Sequence, residues 1–170
     1  MKENNYTKSP YLSWLFNILL NTKIDFNLSI SGMSQFSTEE LGITLGELKL
    51  KEVNVFTLKA HLSKRFNLKN ENILFTPGCS MGNYLALSLL IHPGDEVILE
   101  KPTYDPLLNY VHFLKASVKR IERKFEERYQ INLKELEGLV SSKTKALIIT
   151  DPNNPTGLKQ ENLYELIEFT

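Results

Sequence analysis

Hydrophobic and polar positions follow two periods along this chain. Between Asn54 and Asn67, Val55, Leu58, Leu62 and Phe66 recur every three or four residues, with Lys59, Lys64 and Arg65 off that face. This spacing predicts an amphipathic helix. Beyond it, short apolar runs alternate with helical patterns. Strands are predicted at Asn72–Thr76, Glu96–Glu100, Ser117–Ile121 and Lys145–Thr150. Helices are predicted at Ser80–Ile91, Asp105–Leu114, Asn132–Val140 and Gln160–Phe169. The first of these is apolar nearly all round and is expected to be buried. In the second, Asp105 serves as cap and Pro106 opens the helix. The third is capped by Asn132, with Glu135 three residues on. His92-Pro93-Gly94-Asp95 reads as a turn. The mixed charges of Arg123–Arg128 read as a solvated face. Strand and helix alternating at this spacing give βαβ units, hence an α/β fold with a mainly parallel sheet and right-handed crossovers.

The pattern is weaker before Asn54. Tyr11–Leu20 is rich in apolar residues and reads as a short helix or a docking arm. Ile24–Ile30 reads as extended and ends at Ser31-Gly32. Ser37-Thr38-Glu39-Glu40 has the spacing of a capping box, so a short helix is expected there. Leu45–Val53 has no clear period.

Composition narrows the classes. The 170 residues suit about one domain, and 42% hydrophobic content supplies a core. Twenty basic residues against twenty acidic ones give no net charge and no pull toward nucleic acid or an anionic membrane. The single cysteine, Cys79, excludes an internal disulfide and suits a reducing compartment. Polar residues at Met1–Pro10 argue against a secretory signal. The longest apolar run, Leu85–Ile91, is too short to span a bilayer. One cysteine and three scattered histidines make no metal-ligand cluster. A cytoplasmic location is the expectation.

In a parallel sheet the loops that follow the strands share one edge, where open α/β sheets bind ligands. Three such loops carry unusual residues. In Thr76-Pro77-Gly78-Cys79-Ser80-Met81-Gly82, Gly78 allows a ligand close to the backbone. The following helix aims free N–H groups and a positive dipole end at the same place, a phosphate site in principle. The alternative is an ordinary strand-to-helix turn. In Lys101-Pro102-Thr103-Tyr104-Asp105, Tyr104 offers a flat face or simply packs. In Asp151-Pro152-Asn153-Asn154-Pro155-Thr156-Gly157, prolines and a glycine break the strand and Asn154 offers an amide. A tight turn is the plain reading of that string. Together the three loops describe a site for a flat phosphorylated ring.

The last string resembles the Asn-Pro-Thr-Gly motif of the class I/II aminotransferases, fold-type-I enzymes dependent on pyridoxal phosphate. The other loops match in order: Thr76–Ser80 is similar to the family's phosphate loop, Pro93-Gly94-Asp95-Glu96-Val97 to its turn into the next strand, and Pro102-Thr103-Tyr104 to the loop bearing its ring-stacking aromatic. The likeness runs from about Leu58 onward. It implies a three-layer α/β/α fold, the first half of the fold-type-I large domain, preceded by an N-terminal arm. Residues 1–45 would be the arm and part of the small domain; residues 46–170 would be the N-terminal half of the pyridoxal-phosphate-binding large domain. The resemblance implies that Cys79 and Ser80 hold the phosphate, with Gly78 permitting approach and the Cys79 thiol incidental. Tyr104 would stack on the ring. Asn154 would bond its phenolic oxygen, lowering the imine pKa. Pro155 and Gly157 would shape the loop. Asn27–Gly32 is similar in outline to the segment bordering the substrate, placing Gly32 near the substrate carboxylate.

The family's chemistry needs a lysine for the Schiff base, an aspartate for the pyridinium nitrogen and an arginine for the substrate carboxylate. In the family all three follow the Asn-Pro-Thr-Gly motif by more than the thirteen residues found here after Gly157. No catalytic residue is therefore assigned. Lys143 precedes its strand, at the wrong edge, and reads as a turn lysine. Lys101 stands at a strand end, where the family has no such role. Glu47–Asn54 lacks the Tyr and Gly through which many members reach a partner subunit's phosphate. In the family's sheet the first strand also lies apart from the next three, leaving Asn72–Thr76 without a neighbour.

The resemblance thus implies an N-terminal fragment of an aminotransferase, inactive alone, acting on amino and 2-oxo acids as a homodimer in full-length form or with a complementing C-terminal chain. Alternatives are a non-catalytic fragment binding cofactor or a partner, and a lyase or synthase of the same fold. Regulators that carry an aminotransferase-like domain behind a DNA-binding helix-turn-helix are disfavoured, because the arm is too short and too apolar.

Overall fold

The computed structural model describes residues 9–26, 36–44, 46 and 55–169. The chain divides into two compact units, one formed by Met1–Leu20 with Thr76–Thr170 and the other by Asn21–Phe75.

In the smaller unit, Ser37 and Glu40 make the reciprocal bonds of a capping box: Ser37 N donates to Glu40 Oε2 (2.8 Å) and Glu40 N to Ser37 Oγ (3.1 Å). The expected helix stops after a single turn, because Gly42 takes a left-handed φ of 63°. The amphipathic helix forms close to its predicted bounds, Val55–Phe66. It is α2 in chain order, after the arm helix α1 at Pro10–Asn21. No α2 residue is buried, and Val55, Leu58 and Phe66 remain exposed among the described residues. The strand expected at Asn72–Thr76 is not present. A 3-10 turn occupies Asn70–Asn72. Ile73 has the extended backbone its sequence favours (φ −116°, ψ 121°), yet pairs with no strand among the described residues. Leu74 stays 73% exposed. A strand without a neighbour gains no ladder bonds, so its pattern is not realised.

The larger unit is built on three parallel strands, β1 (Glu96–Lys101), β2 (Ser117–Glu122) and β3 (Thr144–Ile148), in the order β2-β1-β3. Val97, Ile98, Leu99 and Glu100 of the central strand are all buried, the pattern of a strand covered on both faces. Successive side chains point to opposite faces. On one face Val97 packs with Leu87 and Ile91, with Val111 and with Ala116, under α3 (Cys79–Leu90) and α4 (Asp105–Phe113). On the other, Ile98 and Ile121 pack with Ile131, Leu136 and Leu166, under α5 (Leu133–Leu139) and α6 (Leu163–Phe169). Helix, sheet and helix form the three-layer α/β/α fold expected. No helix among the described residues is long and apolar enough to cross a membrane.

Three local expectations are refined. Asn132 caps α5 as predicted, accepting from the N–H groups of Lys134 and Glu135. Tyr104, not Asp105, is the α4 cap; Asp105 lies in the first turn and accepts from Ser9 Oγ and Asn109 Nδ2. Helix α3 is less buried than its apolar sequence suggests: only Leu87 is buried, while Leu89 is 80% exposed. Within this unit α3 lies against α4, with Tyr84 edge-on to Phe113 at 5.8 Å.

At the amino ends of the strands, Glu96 Oε1 accepts from Ser141 Oγ, Thr144 Oγ1 and Lys119 Nζ, each at 2.8 Å. One carboxylate thereby links β1, β2 and β3. These donors, Lys119 first, hold the Glu96 carboxyl down to about 2 from its ordinary 4.5. A depressed carboxyl pKa contributes stability above the unfolded value and loses it as pH falls toward the folded one. Stability is therefore expected to decline between pH 4.5 and 2, and Glu96→Gln should flatten that limb of an acid titration followed by circular dichroism. An unchanged acid limb in the variant would show that Glu96 does not set it. Lys143 lies at this same edge, exposed, its carbonyl accepting from Glu96 N, as its assignment to a turn requires.

Candidate cofactor site

The opposite edge carries the three loops. Helix α3 leads through the 91–95 turn into the start of β1, so it runs against the strand and its own start lies toward the strands' carboxyl ends. Gly78 caps it with φ 84° and ψ 163°, a conformation that L residues rarely adopt. The turn is closed by Gly78 N donating to Thr76 O (2.8 Å) and Thr76 Oγ1 donating to Gly78 O (2.9 Å). No described side chain caps the helix, which leaves the first N–H groups, from Cys79 on, open beside the exposed Ser80 hydroxyl. An anion is the natural partner for such a start.

Tyr104 follows β1 and is half-buried. Next to it, Thr103 Oγ1 is buried with no hydrogen-bond partner among the described residues. The loop after β3 is held from within by Asn153, which is 2% exposed. Asn153 Oδ1 accepts from Thr156 Oγ1 (2.8 Å) and N (3.3 Å), and Asn153 Nδ2 donates to Pro102 O at 3.4 Å. That last bond ties the Asn154 loop to the Tyr104 loop. Asn154 itself is exposed. Its backbone N–H donates to Thr150 Oγ1 at 2.9 Å, and its side-chain amide makes no bond to a described residue. Among the described residues no hydrogen bond links Gly78–Ser80 to either loop; the topology alone sets them at the same edge. Gly32 lies outside the described residues.

Behind the loops lies a polar core that the sequence pattern did not reveal. Arg123, expected on a solvated face, is buried: its Nε donates to Glu100 Oε2 at 2.7 Å, and both side chains are fully inaccessible. Arg123 Nη1 also donates to Tyr129 O and Gln160 Oε1, each at 2.9 Å. Lys124, Glu126 and Arg128 of the charge run are exposed as expected, with Lys124 reaching Glu135 at 3.3 Å, whereas Glu127 is half-buried. Glu100 Oε1 accepts from Thr150 N (2.7 Å) and Thr150 Oγ1 (2.6 Å). A charge within the run Val97-Ile98-Leu99-Glu100 was the available signal, since a buried carboxylate demands a partner.

The donor set suits a phosphorylated aromatic ring. Among the described residues it combines helix N–H groups with no side-chain cap, a half-buried tyrosine, a Thr103 hydroxyl without a partner and an Asn154 amide that makes no bond. Comparison with known proteins identifies the family. The family model for aminotransferase class I and II matches residues 52–170. The chain belongs to this family. It is 37% identical over 115 residues to an aspartate aminotransferase of Sulfurisphaera tokodaii, covering 65% of this chain and 29% of that protein. It is 40% identical over 87 residues to a (5-formylfuran-3-yl)methyl phosphate transaminase of Methanocaldococcus jannaschii, covering 51% of this chain and 21% of that one. The crystal structure of an aspartate aminotransferase from Thermotoga maritima superposes with a TM-score of 0.64 at 27% identity, over 68% of this chain and 33% of that one. The chain thus spans about a third or less of the length of these relatives.

Proposed function

We propose that the chain is the amino-terminal portion of a pyridoxal-phosphate-dependent aminotransferase that moves an amino group between an amino acid and a 2-oxo acid. The observation that carries this reading is the Asn153–Pro102 bond, which seats the Asn154 and Tyr104 loops side by side at the strands' carboxyl ends. When bound, the cofactor supplies an electron sink for carbanion chemistry. The N–H groups of Cys79 and Ser80, with the Ser80 hydroxyl, hold its phosphate, and Gly78 leaves the backbone open to it. Tyr104 lies on the ring. The Asn154 amide donates to the ring's phenolic oxygen and favours its ionised form. Gly32 would border the substrate carboxylate. Residues 1–45 would form the arm and part of a small domain, and residues 46–170 the first half of the large one. The lysine, aspartate and arginine of the chemistry come from a longer form of the protein, acting as a cytoplasmic homodimer, or from a complementing carboxyl-terminal chain.

The 170-residue chain alone is therefore expected to bind pyridoxal phosphate without covalent capture. Borohydride treatment followed by peptide mass mapping should find no lysine labelled above background. Asn154→Ala should weaken binding about ten- to a hundredfold, the share of one hydrogen bond to a charged oxygen. A single lysine labelled in stoichiometric yield would overturn the assignment of the missing lysine to other residues.

A further inference from the structure

We propose that Glu100 is the positioning residue of the Asn154 loop. The inference rests on the reading of Asn154 as the ring contact, and it explains what holds that residue in place. Glu100 lies at the end of the central strand with no access to solvent. One carboxylate oxygen is committed to Arg123 Nε. The other accepts two bonds from Thr150, one from its N–H and one from its hydroxyl. The hydroxyl proton thereby points at Glu100, which leaves the Thr150 oxygen lone pairs free to accept from Asn154 N at 2.9 Å. Asn153 Nδ2 lies 3.5 Å from the same oxygen. The relay therefore runs from carboxylate to hydroxyl to the Asn154 backbone, and each bond fixes the direction of the next.

Arg123 extends this control to the far end of the loop. Its Nη1 donates to Gln160 Oε1, and Gln160 N donates to Asp151 Oδ1 at 2.8 Å. The segment that carries Asn154 is thus pinned at Thr150, Asp151 and Gln160 by one buried ion pair. Glu100 and Arg123, both inaccessible, contact no ligand themselves. Their role is to set where the exposed Asn154 amide lies.

The test compares Glu100→Gln, Thr150→Val, Thr150→Ser and Asn154→Ala in the full chain. Pyridoxine 5′-phosphate serves as probe, since it has the ring and phosphate but no aldehyde to react with a lysine. Amide hydrogen exchange is read at Asn154 relative to Ile98 in the core, and probe affinity is read by fluorescence titration. Glu100→Gln and Thr150→Val are expected to speed exchange at Asn154 about fivefold or more with Ile98 unchanged. Both should weaken the probe as Asn154→Ala does, and Thr150→Ser, which keeps the hydroxyl, should restore both readouts. Exchange at Asn154 unchanged in Glu100→Gln overturns the proposal, whatever Thr150→Val does. If Glu100→Gln lowers protection at Ile98 as well, a rise at Asn154 no greater than that at Ile98 overturns it too. If Asn154→Ala leaves the probe affinity intact while Glu100→Gln still frees the Asn154 amide, the ring-contact reading fails and the positioning role stands.

Discussion

Replacing Arg123 by alanine is expected to destabilise the chain by about 3–5 kcal/mol, the usual cost of leaving one member of a buried ion pair without its partner. Urea unfolding followed by far-UV circular dichroism measures it. Arg123 and Glu100 are both inaccessible, so water cannot take the place of the lost guanidinium. The truncation also strips a donor from Gln160 Oε1 and from Tyr129 O. A domain this size is held by only ~5–15 kcal/mol, so the loss is a large fraction of the whole. Removing both charges should hurt less. In Glu100→Leu with Arg123→Met no charge is left buried, and part of the single-variant loss should return. A single variant within about 1 kcal/mol of the wild type would mean that water reaches Glu100 once the arginine is gone.

The second large effect lies on the α5–α6 face of the sheet. Ile98→Ala should cost about 2–5 kcal/mol, the range for truncating a buried aliphatic side chain whose surroundings do not collapse. Ile98 is 1% exposed and sits among Ile121, Ile131, Leu136 and Leu166, contributed by β2, the α5 approach, α5 and α6. Four separate segments would have to move together to fill the cavity. Leu89→Ala is the control. Leu89 is 80% exposed on α3, and its truncation should change stability by no more than about 0.5 kcal/mol. Equal losses at the two positions would contradict the burial seen in this fold.

The alternation from Glu96 to Phe169 was readable because each strand there has a partner and each helix a face to cover. Periodicity records that demand directly, and three strands and three helices fall within a few residues of their expected places. At Asn72–Thr76 the same kind of pattern misled. Periodicity reports what a segment suits, whereas ladder bonds require a neighbour, and the described residues offer none. The three loops of the proposed site stand out in the sequence for a different reason: Gly78, Pro155 and Gly157 have few uses in a chain, and their order follows a known family. The polar core behind them was not legible. Arg123 opens a run of charges, and its neighbours Lys124 and Glu126 do face solvent. Nothing local separates the buried cation from the solvated ones, because its partner lies twenty-three residues earlier. Asn153 and Asn154 pose the same difficulty. They are adjacent and chemically identical, yet one braces the loop inside and the other stands outside.

The strand order has a consequence for how the chain acquires this core. In β1, Glu96 pairs with Ser117 on one side, 21 residues away, and with Thr144 on the other, 48 residues away. Closing the longer loop costs about 0.6 kcal/mol more per doubling of length, and short-range pairings form faster. The β1–β2 pair is therefore expected to assemble before β3 docks. Arg123 follows directly on β2, so the Glu100 charge meets its countercharge in that first step. Thr150 arrives only with the last strand. On that order the carboxylate is already neutralised, and the edge proposed to hold the cofactor is completed last, onto a core that no longer has to be made.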